Sequence, residues 1–208
     1  MTPFGIFFAP LPQIFWSDYL ESPFVKCIDC EVPLPEVNLY VVQKRFVAKE
    51  TVFEMAMCGG CREAMMAEYS DETRENITRF MMEHFRKNAR KDLPESDEPF
   101  VMEIQEVEDP EEGNSLLNEC LNYCVICGAE RSTCHRYSLA GLCRDNEVVA
   151  QRTPISQTPM MVCDKCEMGM SSLISKKTRD SWDRFIAEHF DGPPGVEVDS
   201  PDSYPITF

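Results

Sequence analysis

The sequence predicts an α+β protein built from two duplicated small domains, each a cysteine knuckle, a β-hairpin and a helix followed by a second, amphipathic helix. Three observations predict it. Eight of the 11 cysteines fall into C-x-x-C pairs: Cys27/Cys30, Cys58/Cys61, Cys124/Cys127 and Cys163/Cys166. Residues 58–85 laid over residues 163–190, an offset of 105 with no gap, agree at 11 of 28 positions, including both cysteine pairs and a terminal Glu-His-Phe. Within each set of two pairs, β-favouring residues lead into the second pair and helix formers follow it.

The elements follow in chain order. Residues 1–24 carry Phe4, Phe7, Phe8, Phe15, Trp16 and Phe24. These aromatics must pack on the core or on a partner. The stretch has no basic leader and no small-residue cleavage site, so it does not read as a secretory signal. Residues 25–91 form the first repeat. Its pairs are 27 residues apart, and the interval holds two strand-like runs, residues 37–42 (VNLYVV) and 51–57 (TVFEMAM), which should form a hairpin. Residues 62–68 (REAMMAE) then read as helix, which places Cys58 and Cys61 at a helix N-terminus. Ser70, and Ser175 in the second repeat, can cap a further helix. Its stripe is Ile77, Phe80, Met81 and His84 in one copy and Trp182, Phe185, Ile186 and His189 in the other. Glu75/Arg79/Glu83 and Asp180/Arg184/Glu188 are spaced to form charge ladders on the opposite face.

Residues 92–119 read as an acidic linker, with ten acidic and no basic residues between Asp92 and Gly113, although residues 100–104 could add a strand. Residues 120–191 form the second repeat, and residues 192–208 an irregular tail. The second repeat has 35 residues between its pairs, eight more than the first, and the extra length is read as carrying Cys134, His135 and Cys143. With Cys120 these could supply ligands to a third ion, but their spacing matches no metal pattern. Buried free thiols explain them more simply.

Four thiolates suit a tetrahedral zinc ion, and two C-x-x-C turns complete one site. Two zinc ions per chain are expected, one on Cys27, Cys30, Cys58 and Cys61 and one on Cys124, Cys127, Cys163 and Cys166. A rubredoxin-like iron site uses similar knuckles but fits a helix launched from the second pair poorly. Thiol–disulfide chemistry needs one reactive pair rather than four. The order knuckle, hairpin, C-x-x-C opening a helix resembles the treble-clef class of zinc fingers over roughly residues 25–70 and 122–175, with Cys124-Val125-Ile126-Cys127-Gly128 the nearest match. That resemblance implies a fold and a metal, and leaves function open, because treble clefs serve many activities. His84 and His189 each lie 23 residues beyond their last cysteine. A continuous helix would hold them about 34 Å away, and only a chain reversal could bring them back to donate to a thiolate.

The chain carries 36 acidic and 20 basic residues among 208, a formal charge of -16, which two closed tetrathiolate sites would take to about -20. That field disfavours nucleic acid and anionic membranes and favours basic partners. Nucleic-acid binding stays as an alternative on account of Arg86, Lys87, Arg90 and Lys91 at the end of the first long helix. A metal-dependent nuclease is less favoured still, because no histidine stands between the first repeat's cysteine pairs and His135 lacks the polar partners such chemistry needs. No phosphate-binding glycine loop or nucleophile elbow is present. The expected protein is therefore non-enzymatic and cytoplasmic, with reduced thiols, and it presents a surface to another protein.

Overall fold

The computed structural model describes residues 4–88, 104–106, 109–153 and 156–190. Basic residues Arg90 and Lys91, most of the acidic linker and the tail from residue 191 lie outside the described residues. The fold is a mixture of helix and sheet, and all of its strands belong to one sheet in the order β3-β2-β5-β6-β1-β4, with β7 added to β6 and β8 to β5. The strands are β1 (Phe4–Pro10), β2 (Tyr40–Val47), β3 (Glu50–Cys58), β4 (Ile104–Glu106), β5 (Arg136–Arg144), β6 (Glu147–Thr153), β7 (Ser156–Thr158) and β8 (Met160–Cys163). The helices are α1 (Gly59–Glu68), α2 (Asp71–Asn88), α3 (Pro110–Asn122), α4 (Asp164–Ser171) and α5 (Lys176–His189). None of them is long and apolar enough to cross a membrane.

The predicted hairpin is β2–β3. It turns at Ala48 and Lys49, both with positive φ, the backbone that matches the twist of a tight hairpin. In the second repeat the corresponding strands are β5 and β8. Tyr40 lies opposite Cys58 across β2–β3, and Tyr137 lies opposite Cys163 across β5–β8. The repeats therefore match at an offset of 97 from the knuckle through the first hairpin strand and at 105 afterwards. The eight additional residues enter after Arg144, at the end of β5, where the chain departs to make β6 and β7 before returning as β8. Cys134, His135 and Cys143 precede this insertion, so they do not belong to the extra length. The 97 offset also relates the short 3-10 turns Leu34–Glu36 and Arg131–Thr133 and the bridges Lys26–Pro33 and Tyr123–Glu130.

The two repeats are joined edge to edge. β2 pairs with β5 antiparallel along its whole length, with Tyr40 opposite Cys143 and Phe46 opposite Tyr137, and the Phe46 and Tyr137 rings stack at 4.8 Å. Because the offset of 97 carries one pair of the ladder onto another, turning Tyr40 into Tyr137 and Phe46 into Cys143, the strands are related by a local twofold axis. The axis continues into the helices, where Ser70 Oγ lies 2.7 Å from Ser175 Oγ and Thr73 Oγ1 lies 3.0 Å from Thr178 Oγ1. Ser175 caps α5 by accepting from the Thr178 amide, and Ser70 accepts from the Thr73 amide, as the sequence predicts. Each cap serine also donates its own backbone N–H to the other helix's threonine: Ser70 to Thr178 at 3.1 Å and Ser175 to Thr73 at 2.9 Å. The buried polar groups at this junction satisfy one another across the axis.

The N-terminal segment packs on the core. β1 pairs with β6 antiparallel and with β4 in parallel, Phe7 is buried, and Phe15 is fully enclosed against the backbone of Gly141 in β5. Residues 110–119, assigned to the linker by their charge, belong to α3. Asp109 caps this helix by accepting from the Glu111 and Glu112 amides, and its Leu117, Cys120 and Leu121 are buried. Three glutamates mark its sequence as a linker, but its apolar face lies on β1 and β6, elements that composition alone does not reveal.

The paired helices differ in cover. On α5, Trp182, Phe185 and Ile186 are buried, and Trp182 Nε1 donates to Tyr69 Oη at 2.9 Å. On α2 the counterparts Ile77, Phe80 and Met81 are half-buried, so the expectation of a buried stripe holds for one copy only. The charge ladder on α5 also differs from expectation. Asp180 pairs with Lys176 at 2.8 Å, while Arg184 reaches Glu68 on α1 because the helices lie side by side.

Candidate metal centres

Each quartet assembles from three local structures. The knuckle Cys27–Cys30 closes when the Glu31 amide donates to the Cys27 carbonyl at 3.1 Å, with Glu31 at a φ of 60°. Its counterpart uses the Gly128 amide on the Cys124 carbonyl at 2.8 Å, with Gly128 at 72°. The hairpin then delivers the second pair. The Ile28 amide donates to the Ala56 carbonyl at 2.9 Å, and the Val125 amide to the Met161 carbonyl at 2.9 Å, stitching each knuckle to its strand. Finally Cys58 and Cys163 are the N-caps of α1 and α4, so Cys61 and Cys166 lie in the first helical turn, where the helix dipole favours negative sulfur.

The sulfurs converge as the sequence predicts. Cys27, Cys30, Cys58 and Cys61 form one group and Cys124, Cys127, Cys163 and Cys166 another, each with all four Sγ atoms within 4.8 Å of one another. Cys30 Sγ is 3.8 Å from Cys58 Sγ, and Cys127 Sγ is 3.6 Å from Cys163 Sγ. A tetrahedron with metal–sulfur bonds of about 2.3 Å has edges of about 3.8 Å, so the spacing fits one ion per group. The Cys58 amide donates to Cys27 Sγ at 3.3 Å and the Cys163 amide to Cys124 Sγ at 3.4 Å, bonds that stabilise thiolate charge.

The titration of these thiols expresses the same demand. Burial first, then the Asp29 carboxylate and the adjacent sulfurs, drives Cys61 far above an ordinary thiol, and burial with Cys124 and its neighbours does so at Cys166. Burial pushes Cys163 up to about 12. Cys30 is instead lowered, by the Val32 amide and then Cys61, and Cys127 is lowered by the Ala129 amide and neighbouring thiols against the opposing effect of burial. Four crowded sulfurs cannot all ionise without a cation among them, and a divalent ion removes that conflict. Each quartet could thus hold a metal ion.

The remaining cysteines do not gather. Cys120 is buried beside Arg152, whose Nη2 lies 3.8 Å from the sulfur, and burial pushes its thiol up to about 11. Cys143 is fully buried in β5 with its thiol pushed up by burial to about 12. Cys134 contacts the Glu130 carbonyl at 3.4 Å. Neither these thiols nor His135 belong to a ligand group among the described residues. All 11 cysteines are free of disulfides.

Neither terminal histidine joins a quartet, and their placements differ. His84 Nδ1 lies 2.7 Å from the Phe80 carbonyl one helical turn earlier. His189 Nε2 lies 3.3 Å from Asp29 Oδ1, inside the first repeat's knuckle, so α5 of one repeat reaches the metal loop of the other. Sequence reading considered each histidine only with its own cysteines, and the exchange follows from the twofold packing. Asp29 was likewise missed. It carries no motif signal, being one of two variable residues in a C-x-x-C turn. Comparison with family models, with curated proteins and with solved structures finds no match.

Proposed function

We propose that the chain is a non-enzymatic zinc protein in which two treble-clef modules, fused through β2 and β5, carry structural zinc and present a rigid surface to a protein partner. The observation that supports this most is the closed donor set: four sulfurs at tetrahedral spacing in each quartet, with neither histidine nor water-binding carboxylate completing the group. Closed tetrathiolate sites are structural, whereas catalytic zinc keeps an open position. A cytoplasmic, reducing setting would keep these thiols available to the metal.

Two features support a protein partner. The chain's acidity steers it toward basic surfaces. At the loop following Phe15, Tyr19 is 91% exposed and Leu20 lies beside it, on a loop braced because Glu54 accepts from Ser17 Oγ at 2.7 Å and from the Asp18 amide at 2.9 Å. A large aromatic on a braced loop is the kind of residue that anchors interfaces. Purified protein should contain about two zinc ions per chain, and chelation should unfold it, because site formation and folding are one event. Retention of native secondary structure after zinc is removed would refute the structural role. Tyr19→Ser with Leu20→Ser should lower partner recovery in a pull-down while keeping both ions. Deleting residues 1–24 is a poor test, because it removes β1 and Phe15.

A further inference from the structure

The twofold relation exposes a mismatch between the repeats. On one side, the residue after the last ligand is Glu167. It is buried, accepts from Ser138 Oγ at 3.0 Å, and pairs with Arg45 of the neighbouring strand at 2.6 Å. The offsets relate Glu167 to Arg62, Ser138 to Val41 and Arg45 to Leu142. So where one half has a carboxylate on the helix and a guanidinium on the strand, the other has a guanidinium on the helix and a leucine on the strand. The Nε of Arg62 is shielded from solvent and has no hydrogen-bond partner, and among the described residues its guanidinium forms no ion pair, the neighbouring Glu63 carboxylate acting on it only at longer range. An arginine packed against apolar surface without its counter-ion is costly unless something supplies one.

Space exists beside it. At the Glu167 side the gap between helix and sheet holds only about 20 Å³. At the Arg62 side a groove of about 540 Å³ opens between α1, α2 and the sheet, walled by Met66, Met81, Met82 and Met160 and floored by Val41 and Leu142. Its volume is that of small-molecule sites, and methionines adapt to flexible chains. The insertion peculiar to the second repeat, β6 and β7, lends it Gln151 and Gln157. The same groove accounts for the incomplete cover of Ile77 and Met81 on α2. Its lining includes two arginines, Arg62 and Arg74, and no aspartate or glutamate, in a chain with 36 acidic residues. Arg74 already bonds to Asp71, which leaves Arg62 as the group in need of an anion.

The geometry points to a binding site for a small monocarboxylate with an apolar chain, its carboxylate on Arg62 and its chain along the methionine wall between α2 and β5. The carboxylate takes the place, relative to Arg62, that the guanidinium of Arg45 takes relative to Glu167. The site goes beyond the protein-binding reading and is independent of it.

Calorimetric titration of the zinc-loaded full chain with dodecanoate, kept below its micelle-forming concentration, tests the site. One dodecanoate should bind per chain, at least about tenfold more tightly than dodecanol or butyrate, since only a ligand with both a carboxylate and a long chain meets Arg62 and the methionine wall together. Arg62→Gln should erase that tenfold preference and leave dodecanol binding as it was. Leu142→Glu places a carboxylate within the groove opposite Arg62. It should abolish uptake and raise the unfolding temperature, a readout that also shows the variant folds. Absence of saturable dodecanoate binding, equal affinity for dodecanol, or full affinity in Arg62→Gln would overturn the assignment.

Discussion

Removing Arg45 is the sharpest test of how the two repeats are held together, because its partner Glu167 belongs to the other repeat and is only 5% exposed at the side chain. In Arg45→Met the aliphatic stem is replaced and the guanidinium lost. Glu167 then keeps the Ser138 hydroxyl at 3.0 Å but loses the cation at 2.6 Å. Stranding one partner of a buried pair costs about 3–5 kcal/mol, and the surviving Ser138 bond places this case near 3. Glu167→Met takes this carboxylate from Arg45, which is 16% exposed and closer to water, so about 2 kcal/mol is expected. The double replacement leaves no unpaired charge and should cost about 2 kcal/mol, roughly 3 less than the sum of the single variants. In a chain of this length Arg45→Met should lower Tm by about 6–12 °C. Urea and thermal unfolding of the four zinc-saturated proteins give the cycle. Single variants within about 0.5 kcal/mol of the parent, or strictly additive costs, would refute the claim that this pair couples the repeats.

Two further outcomes rest on the core beneath the N-terminal segment. Lys44 is 1% exposed and bonds to the Trp16 carbonyl at 2.6 Å, Asp18 at 2.8 Å and Glu54 at 3.1 Å. Asp18 is held below the usual carboxylate range by Lys44 and then Thr51. At Glu54 burial pushes upward but is outweighed by the Asp18 amide, Ser17 and Lys44. Carboxyls depressed in the folded state contribute stability that is present above their unfolded values and is lost as pH falls through the folded ones. Lys44→Met removes the common cause, so its acid-unfolding midpoint, followed by far-UV circular dichroism, should lie at higher pH than the parent's; coincident midpoints would contradict the assignment. Separately, a methyl at Gly141 would meet Phe15 Cζ at 2.9 Å, and Phe15 is fully enclosed. Gly141→Ala should therefore cost about 1–3 kcal/mol by overpacking, whereas Gly169→Ala on α4, with open space around it, should gain about 0.5–1 kcal/mol from helix propensity. Equal behaviour of the two variants in chemical denaturation would argue against the Phe15 packing.

The cysteine quartets were legible because their signal is local and chemical. Cysteine spacing, a strand before the second pair and helix formers after it identify all eight sulfurs, and the repeat identifies the caps Ser70 and Ser175. The joining of the repeats was not legible. β2 and β5 each read as one strand of a separate hairpin, and nothing in Tyr40-Val41-Val42 announces a second neighbour, since pairing partners are set by long-range register. Buried Lys44 inside β2 reads as an outward-facing residue until Asp18 and Glu54 are brought beside it. β1 was hidden by its prolines and by aromatics suggesting an arm. Helix α3 was hidden by Glu111 and Glu112, which serve its first turn, where the dipole favours negative charge. Arg62 and Glu167 were both in view as aligned, non-identical positions, but a repeat comparison rewards identity, and the meaning of that pair lies in their difference.

Duplication usually yields two copies of one site, and the cysteines here follow that rule while their surroundings depart from it. The departures run in a consistent direction. Trp182, Phe185 and Ile186 are enclosed where Ile77, Phe80 and Met81 are half open; Glu167 is paired where Arg62 is not; His189 reaches Asp29 in the opposite knuckle, while its counterpart His84 turns to its own helix. In each comparison the second repeat's helices close the structure and the first repeat's leave it open. On the proposed zinc reading, a protein of two such modules needs only one pair of helices to lock the common sheet. The other pair is then released from the demands of stability, and apolar and cationic groups can stand at a groove without unfolding the chain. On the zinc reading, the first quartet is tied to the opposite repeat through Asp29 and His189, so His189→Ala should speed the release to a chelator of one of the two ions, and release kinetics identical to the parent's would contradict that tie.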